Sequence, residues 1–207
     1  MQSTPWSMAT QYFNVFRYGY NVPMPGPTTI AKRETFDAHV QRDFLLKTMA
    51  SDVSVSNGTK VGVKAMLEDM SLVAICYEDM ETELVRLERG PGDFITATVT
   101  TTSTINENTL RYVFPRLFDD SNNAKWPSLN TKLLGRQFVM DGLAHFEWNA
   151  ENNCVITVRY DADMLTPLLG ILGNLVDVSR AFHDTVIDPA SRELSAEIYS
   201  HLIAADD

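Results

Sequence analysis

Several residues in this 207-residue chain are of types that could do proton-transfer chemistry. The stretch GRQFVMDGLAHFEWN, Gly135 to Asn149, sets His145 and Glu147 two residues apart, with Asp141 just upstream. An imidazole beside a carboxylate is a common means of moving a proton near neutral pH. His39 and Asp43 stand four apart in a helical stretch and therefore share one helix face. Tyr77, Asp79 and Tyr160 complete the set of cavity candidates. His183 and His201 lie in the tail with no ligand spacing around them, and there is no HExxH, CxxC, glycine-rich phosphate loop or serine-centred elbow. No metal and no cofactor are therefore expected.

What those residues can do depends on the elements that hold them. Residues 136 to 148 alternate as a strand, and side chains along a strand alternate faces. Phe138, Met140, Gly142, Ala144, Phe146 and Trp148 share one face, which carries no titratable group and is the expected core side. Gln137, Val139, Asp141, Leu143, His145 and Glu147 share the other. His145 and Glu147 thus point away from the enclosed face, where little would tune a general base. They are expected to be sheet surface. Val139, Leu143 and His145 are the candidate interface for pairing two sheets.

Gly142 and Ala144 interrupt the bulky row on the core face, and glycine inside a strand marks a bend, a bulge or a close approach. A sheet bent there is concave and could be roofed by helices. Aromatics Tyr12, Phe13, Phe16 and Tyr20 recur at helical spacing, with Thr10 as a possible cap. After the proline-rich NVPMPGPTT break, Phe36, Val40 and Phe44 mark a second helix. SDVSVSNGT is expected as a loop, with the sequon Asn57-Gly58-Thr59 a turn. Val63, Met66, Leu67, Met70 and Val73 mark a third helix.

Strands are expected from Glu81 to Glu88 and from Phe94 to Ile105, joined by the RGPGD turn, and from Cys154 to Tyr160 after the NAENN turn. Threonines at every second position of the long strand suit a half-buried pleated surface. A short helix should end at Pro115, a polar loop follows, and DADMLTPLLGILGNLVDVSRAF is helical with a break near Gly173. The fold class is α+β with a curved, mostly antiparallel sheet forming a cone covered by N-terminal helices. One domain is expected over 1–207, with its core at about 9–182 and a helical tail at about 188–207.

Composition limits the partners. Net charge is −10 and the pI is near 4.8. The densest basic spots, Lys32-Arg33 and Arg86 with Arg89, are thin and flanked by acids. Direct nucleic-acid binding by this chain is not expected, because a duplex binder needs a basic footprint. No apolar run approaches the roughly 20 residues of a membrane span, and the N-terminal residues lack the pattern of a secretory signal. Cys76 and Cys154 fit reduced thiols. The expected location is intracellular, cytoplasmic or nuclear.

Three helices before a bent antiparallel sheet resembles the nuclear transport factor 2-like (cystatin-like) fold, which also holds scytalone dehydratase, ketosteroid isomerase and polyketide cyclases. The segments YFNVFRYGYN, ENTLRYVFPRL, LLGRQFVMDGLAHFEWN and DMLTPLLGILGNLVDVSRAF are similar to the domain following the leucine zipper in oomycete bZIP transcription factors, over roughly Tyr12 to Phe182. Members of that family join a basic helix and zipper to this domain; residues 1 to 60 here have no basic block, and leucines do not recur at seven. The chain is either a fragment or a free-standing relative, and DNA binding does not carry over to it.

Two readings follow. In the first, the chain is a non-catalytic regulatory or interaction domain that forms a homodimer or binds a small apolar molecule or a protein partner. The helices would line the cone with Phe16, Phe44, Met66 and Met70, and Tyr77 would join them. The sheet would contribute Phe138, Met140, Ala144, Phe146, Trp148 and Tyr160. In the second, it is a small cofactor-independent lyase or isomerase of the polyketide cyclase or dehydratase type, with His39 and Asp43 as catalytic candidates.

Overall fold

The computed structural model describes residues 4–22, 36–55, 58, 60–115, 117 and 127–182. The expected tail helix, His183, His201, Lys32-Arg33, and Asn57 and Thr59 of the sequon lie outside the described residues.

Helix α1 (Pro5–Val15) begins earlier than its aromatic spacing suggests. Thr4 is the cap: its hydroxyl accepts from the Ser7 N–H, the Ser7 hydroxyl accepts from the Thr4 N–H, and Pro5 fills the first turn, where no donor is needed. Thr10 lies inside the helix and donates to the Trp6 carbonyl. Helix α2 (Ala38–Thr48) buries Gln41, Phe44 and Leu45. Its expected stripe is rotated, because Phe36 and Val40 are exposed.

Strand β1 (Met49–Val55) replaces the expected loop. Its serines read as turn residues, yet Met49, Val53 and Val55 are buried, and β1 runs parallel to the last strand, which supplies its backbone partners. A short strand β2 (Lys60–Val61) pairs with β1 and leads into α3 (Gly62–Cys76).

Strands β3 (Glu81–Arg89), β4 (Phe94–Thr104), β5 (Gln137–Asn149) and β6 (Cys154–Ala162) form an antiparallel meander. The six-stranded order is β2-β1-β6-β5-β4-β3, so the β1–β6 pair is the parallel exception in a mostly antiparallel sheet. The pairings skip Val85 in β3 and Ile156 in β6, and such bulges bend a strand and increase its twist. Burial in β5 alternates without exception over Gln137 to Ala144: the even-numbered side chains are inside and the odd-numbered ones outside.

A π-helical turn (Thr109–Val113), helix α4 (Pro127–Leu133), α5 (Leu165–Leu172) and α6 (Leu175–Phe182) follow the sheet. Part of α4 falls where a loop was expected. Gly173, at φ +82°, takes the left-handed conformation that ends α5, as the expected break requires.

The inner face of the sheet carries two apolar clusters. Helices α1 to α3 cover Ile95, Ala97, Val99, Ala144 and Phe146. The π-helical turn and α4 to α6 cover Ile105, Phe138 and Met140. A cavity lies in the first cluster and is bordered by Met80 of the second.

Candidate functional site

Between the helical roof and the sheet lies a cavity of about 160 Å³. Its floor is Ala144 and Phe146 of β5 with Val158 of β6, all buried. Tyr12 and Phe13 of α1, its C-terminal cap residue Phe16, and Met66 and Met70 of α3 face it from the roof, and Val55, Met80 and Thr82 close the sides. The aromatic rings pack edge to face: Tyr12 lies 5.1 Å and Phe13 6.0 Å from Phe146, centroid to centroid. Such pairs contribute beyond the area they bury. Half-buried Tyr12, Tyr20, Asp69 and Met70 mark the mouth.

The roof is fixed in place by polar contacts that apolar spacing does not reveal. Gln41, 1% exposed, reaches from α2 to the end of α1. Its amide nitrogen donates to the carbonyls of Val15 (3.0 Å) and Gly19 (2.8 Å), and its oxygen accepts from the Asn21 N–H (2.8 Å). Arg17 donates from Nε and Nη2 to Glu81 at 2.9 and 2.7 Å, and from Nη2 to Glu83 at 3.0 Å. Glu81, directly bonded, is the main influence raising the Arg17 pKa. The Thr82 N–H donates to the Arg17 carbonyl, so the turn after α1 is bonded directly to β3.

Polar groups at the cavity are few. Asp69 is paired with Lys60, and both side chains are about one-fifth exposed. Thr82, 8% exposed, faces the cavity, and its hydroxyl is 3.0 Å from that of buried Thr101 on β4. The Thr101 hydroxyl is in turn 3.2 Å from the Tyr160 Oη. Three hydroxyls thus form a chain across β3, β4 and β6 beneath the cavity. Tyr160 reaches over β5 because Gly142 has no side chain in its way.

Of the residues expected to line the cone, Phe16, Met66, Met70, Ala144, Phe146 and Tyr160 are on the cavity wall. The others are not. Tyr77, Phe138 and Met140 belong to the other apolar cluster, the one packed under the C-terminal helices. Phe44 and Trp148 pack within the roofed cluster but away from the opening. Thr82 was missed because it sits between Glu81 and Glu83; its parity with Leu84 across two carboxylates was the available signal. Asp69 was missed because a carboxylate on an apolar helix reads as solvated.

His39 and Asp43 are exposed on α2, away from the cavity. His145 and Glu147 are on the outer face and half-buried. There His145 Nδ1 is 3.1 Å from the Thr96 hydroxyl and Nε2 is 3.5 Å from Asp161. Thr157 donates to Glu147 at 2.6 Å, and Thr100 to Asp141 at 2.9 Å. On this face Thr96 and Thr100 of β4 and Thr157 of β6 are thus the partners of His145, Asp141 and Glu147. Val139 and Leu143, 44% and 40% exposed, stand between them.

Cys76 and Asp79 act in the framework. Burial pushes the Cys76 thiol up to about 12, which leaves it protonated and unreactive. Asp79 is drawn upward by partial burial, but bonds from Thr104 and Ser103 outweigh this and hold its carboxyl below the usual value. Among the described residues, no group of three or more His, Cys, Asp or Glu is placed to hold a metal ion, and no helix is long and apolar enough to cross a membrane.

This architecture is the nuclear transport factor 2-like α+β cone. Two solved structures share it: a SnoaL-like polyketide cyclase from Agrobacterium tumefaciens and IdmH from Streptomyces antibioticus, assigned as a polyketide cyclase. The first is 12% identical, with a TM-score of 0.52 over 83% of this chain and 99% of that one. The second is 12% identical, with a TM-score of 0.50 over 83% of this chain and 100% of that one. At that identity the likeness concerns the fold alone. Residues 6–76 match the family described as the BZIP transcription factor 1 C-terminal domain. That segment runs from α1 to the end of α3 and so contains the whole helical roof. It stops well before Phe182, the limit of the similarity read from the sequence. No curated protein matches the chain.

Proposed function

We propose that this chain is a non-catalytic accessory domain of the kind associated with bZIP transcription factors, including those of oomycetes, and that it takes up a small apolar molecule beneath its helical roof. The observation that carries this reading is the 160 Å³ cavity, walled by aromatic and methionine side chains and roofed by the segment that matches the bZIP-associated family. A preformed apolar hollow with few polar groups is a general mark of a small-molecule site. The outer face, with Val139 and Leu143, is the proposed surface for a second copy.

Toluene provides the test. A ligand that binds only the folded state raises the melting temperature with concentration. Ala144→Trp, which fills the floor, and Met70→Trp, which fills the roof with less demand on the sheet, should both abolish that rise. An equal rise in both variants, or none in the wild type, would count against the pocket.

One observation favours the second reading, a cofactor-independent lyase or isomerase: Asp69 and Tyr160 open on the same cavity. Against it, Asp69 is already paired with Lys60, and His39 and Asp43 are elsewhere. Exchange of the α-protons of a small ketone with deuterium, accelerated by wild type and not by Asp69→Asn, would support it.

A further inference from the structure

We infer that the ligand is a neutral single-ring phenol-like molecule, its hydroxyl seated against the Thr82–Thr101–Tyr160 chain. This rests on the pocket reading above and goes one step further, to the chemistry of the occupant.

Size comes first. The cavity, at about 160 Å³, is close to the engineered cavity of about 150 Å³ that stays dry and binds benzene. A single ring fills it. Shape and surface agree, because Tyr12, Phe13 and Phe146 present ring faces and edges, and Met66, Met70 and Met80 supply adaptable walls.

Polarity is the second argument. The Thr82 hydroxyl, already bonded to Thr101, keeps a further donor or acceptor position that an entirely apolar ligand would leave unused. A chain of hydroxyls can run in either direction, since each oxygen both donates and accepts. Thr82 can therefore give a hydrogen to the ligand or accept one from it, with Thr101 reversing to match. A phenolic hydroxyl satisfies either arrangement.

Charge is the third. The chain carries −10, and Asp69 stands at the mouth, paired with Lys60. A carboxylate or phenolate would be brought against like charge, and among the described residues that line the cavity none is Lys or Arg, so the neutral form is preferred.

The experiment compares phenol, toluene and benzoate by following the methyl resonances of Met66, Met70 and Met80 in carbon-labelled protein. Wild type should bind phenol about fivefold more tightly than toluene, as one net hydrogen bond provides, and benzoate more weakly than either. Thr82→Val, which keeps the shape and removes the hydroxyl that meets the ligand, should erase the phenol preference while toluene still binds, whereas Thr101→Val, which lies off the cavity wall and leaves the Thr82 hydroxyl in place, should retain it. If toluene and phenol bind wild type equally, or if Thr82→Val retains the preference, the phenol assignment fails and the apolar pocket stands. If neither compound shifts the methionine methyls, both fail.

Discussion

Gly142 and Tyr160 approach more closely than any side chain at position 142 would allow. A Cβ built on Gly142 would lie 2.9 Å from the Tyr160 Oη, 3.2 Å from its Cζ and 2.9 Å from the Asp161 carbonyl oxygen. Gly142 has no positive φ, so what it supplies is space. That space lets the phenol of β6 cross β5 and meet Thr101 on β4. One missing methyl in the sheet therefore connects the cavity wall to its hydroxyl chain.

Gly142→Ala should lower stability by about 1 to 3 kcal/mol, the usual cost of overpacking a tight core. The Asp161 carbonyl belongs to the backbone and cannot simply rotate aside, so the phenol must move. Urea denaturation would give the loss as a lower midpoint at unchanged slope. Stability equal to wild type would mean that the close approach is not constraining.

Gln41 makes three hydrogen bonds from a buried side chain to the turn that frames the cavity. Gln41→Leu keeps the volume but leaves two carbonyls and an N–H without those partners. A loss of about 2 kcal/mol is expected, together with faster amide exchange at Gly19 and Asn21. If exchange there is unchanged, Gln41 is only filling space.

The legibility of this chain followed its periodicity. The β5 alternation from Gln137 to Trp148 was plain because its even positions carry no polar side chain, and the structure keeps that division. The same parity placed His145 and Glu147 outside. β1 was not legible: Ser51, Ser54 and Asp52 read as turn chemistry, and its pairing with β6 and β2 makes it a strand. Nor could spacing show where the inner face divides. Phe138 and Ala144 share one side of one strand, but Phe138 packs with the C-terminal helices while Ala144 lines the cavity under the N-terminal ones. Gln41 and Thr82 were hidden because polar residues beside charged ones resemble surface.

Asp79 accepts from the Ser103 hydroxyl (2.9 Å) and the Thr104 N–H (2.7 Å), and its folded pKa is depressed. A depressed carboxylate contributes its full stability above its unfolded value, about 4, and loses it as pH falls through the folded value. Asp79→Asn should therefore be less stable than wild type at pH 7, by about 1 kcal/mol after solvent screening. That gap should close on acidification below about pH 4. A gap that is constant from pH 7 to pH 3 would show that the carboxylate's charge is not responsible.

The outer face gives the last prediction. Val139 and Leu143 are exposed on β5, while Asp141, Glu147 and His145 around them already have threonine partners. A second copy could therefore cover the two aliphatic side chains without stripping water from wholly unpartnered charges, which is what usually makes burial of a polar face costly. Each copy carries −10, so association should be opposed by long-range repulsion and should strengthen with salt up to physiological screening. Leu143→Arg places a cation in the apolar strip of both copies of a symmetric pair, against its own symmetry mate. Sedimentation equilibrium should show a wild-type dimer that tightens between about 20 and about 150 mM salt, as the screening length shortens, and a monomeric, folded variant. A wild type that stays monomeric at about 100 μM, far above the dissociation constants of specific pairs, would remove this face as a pairing surface.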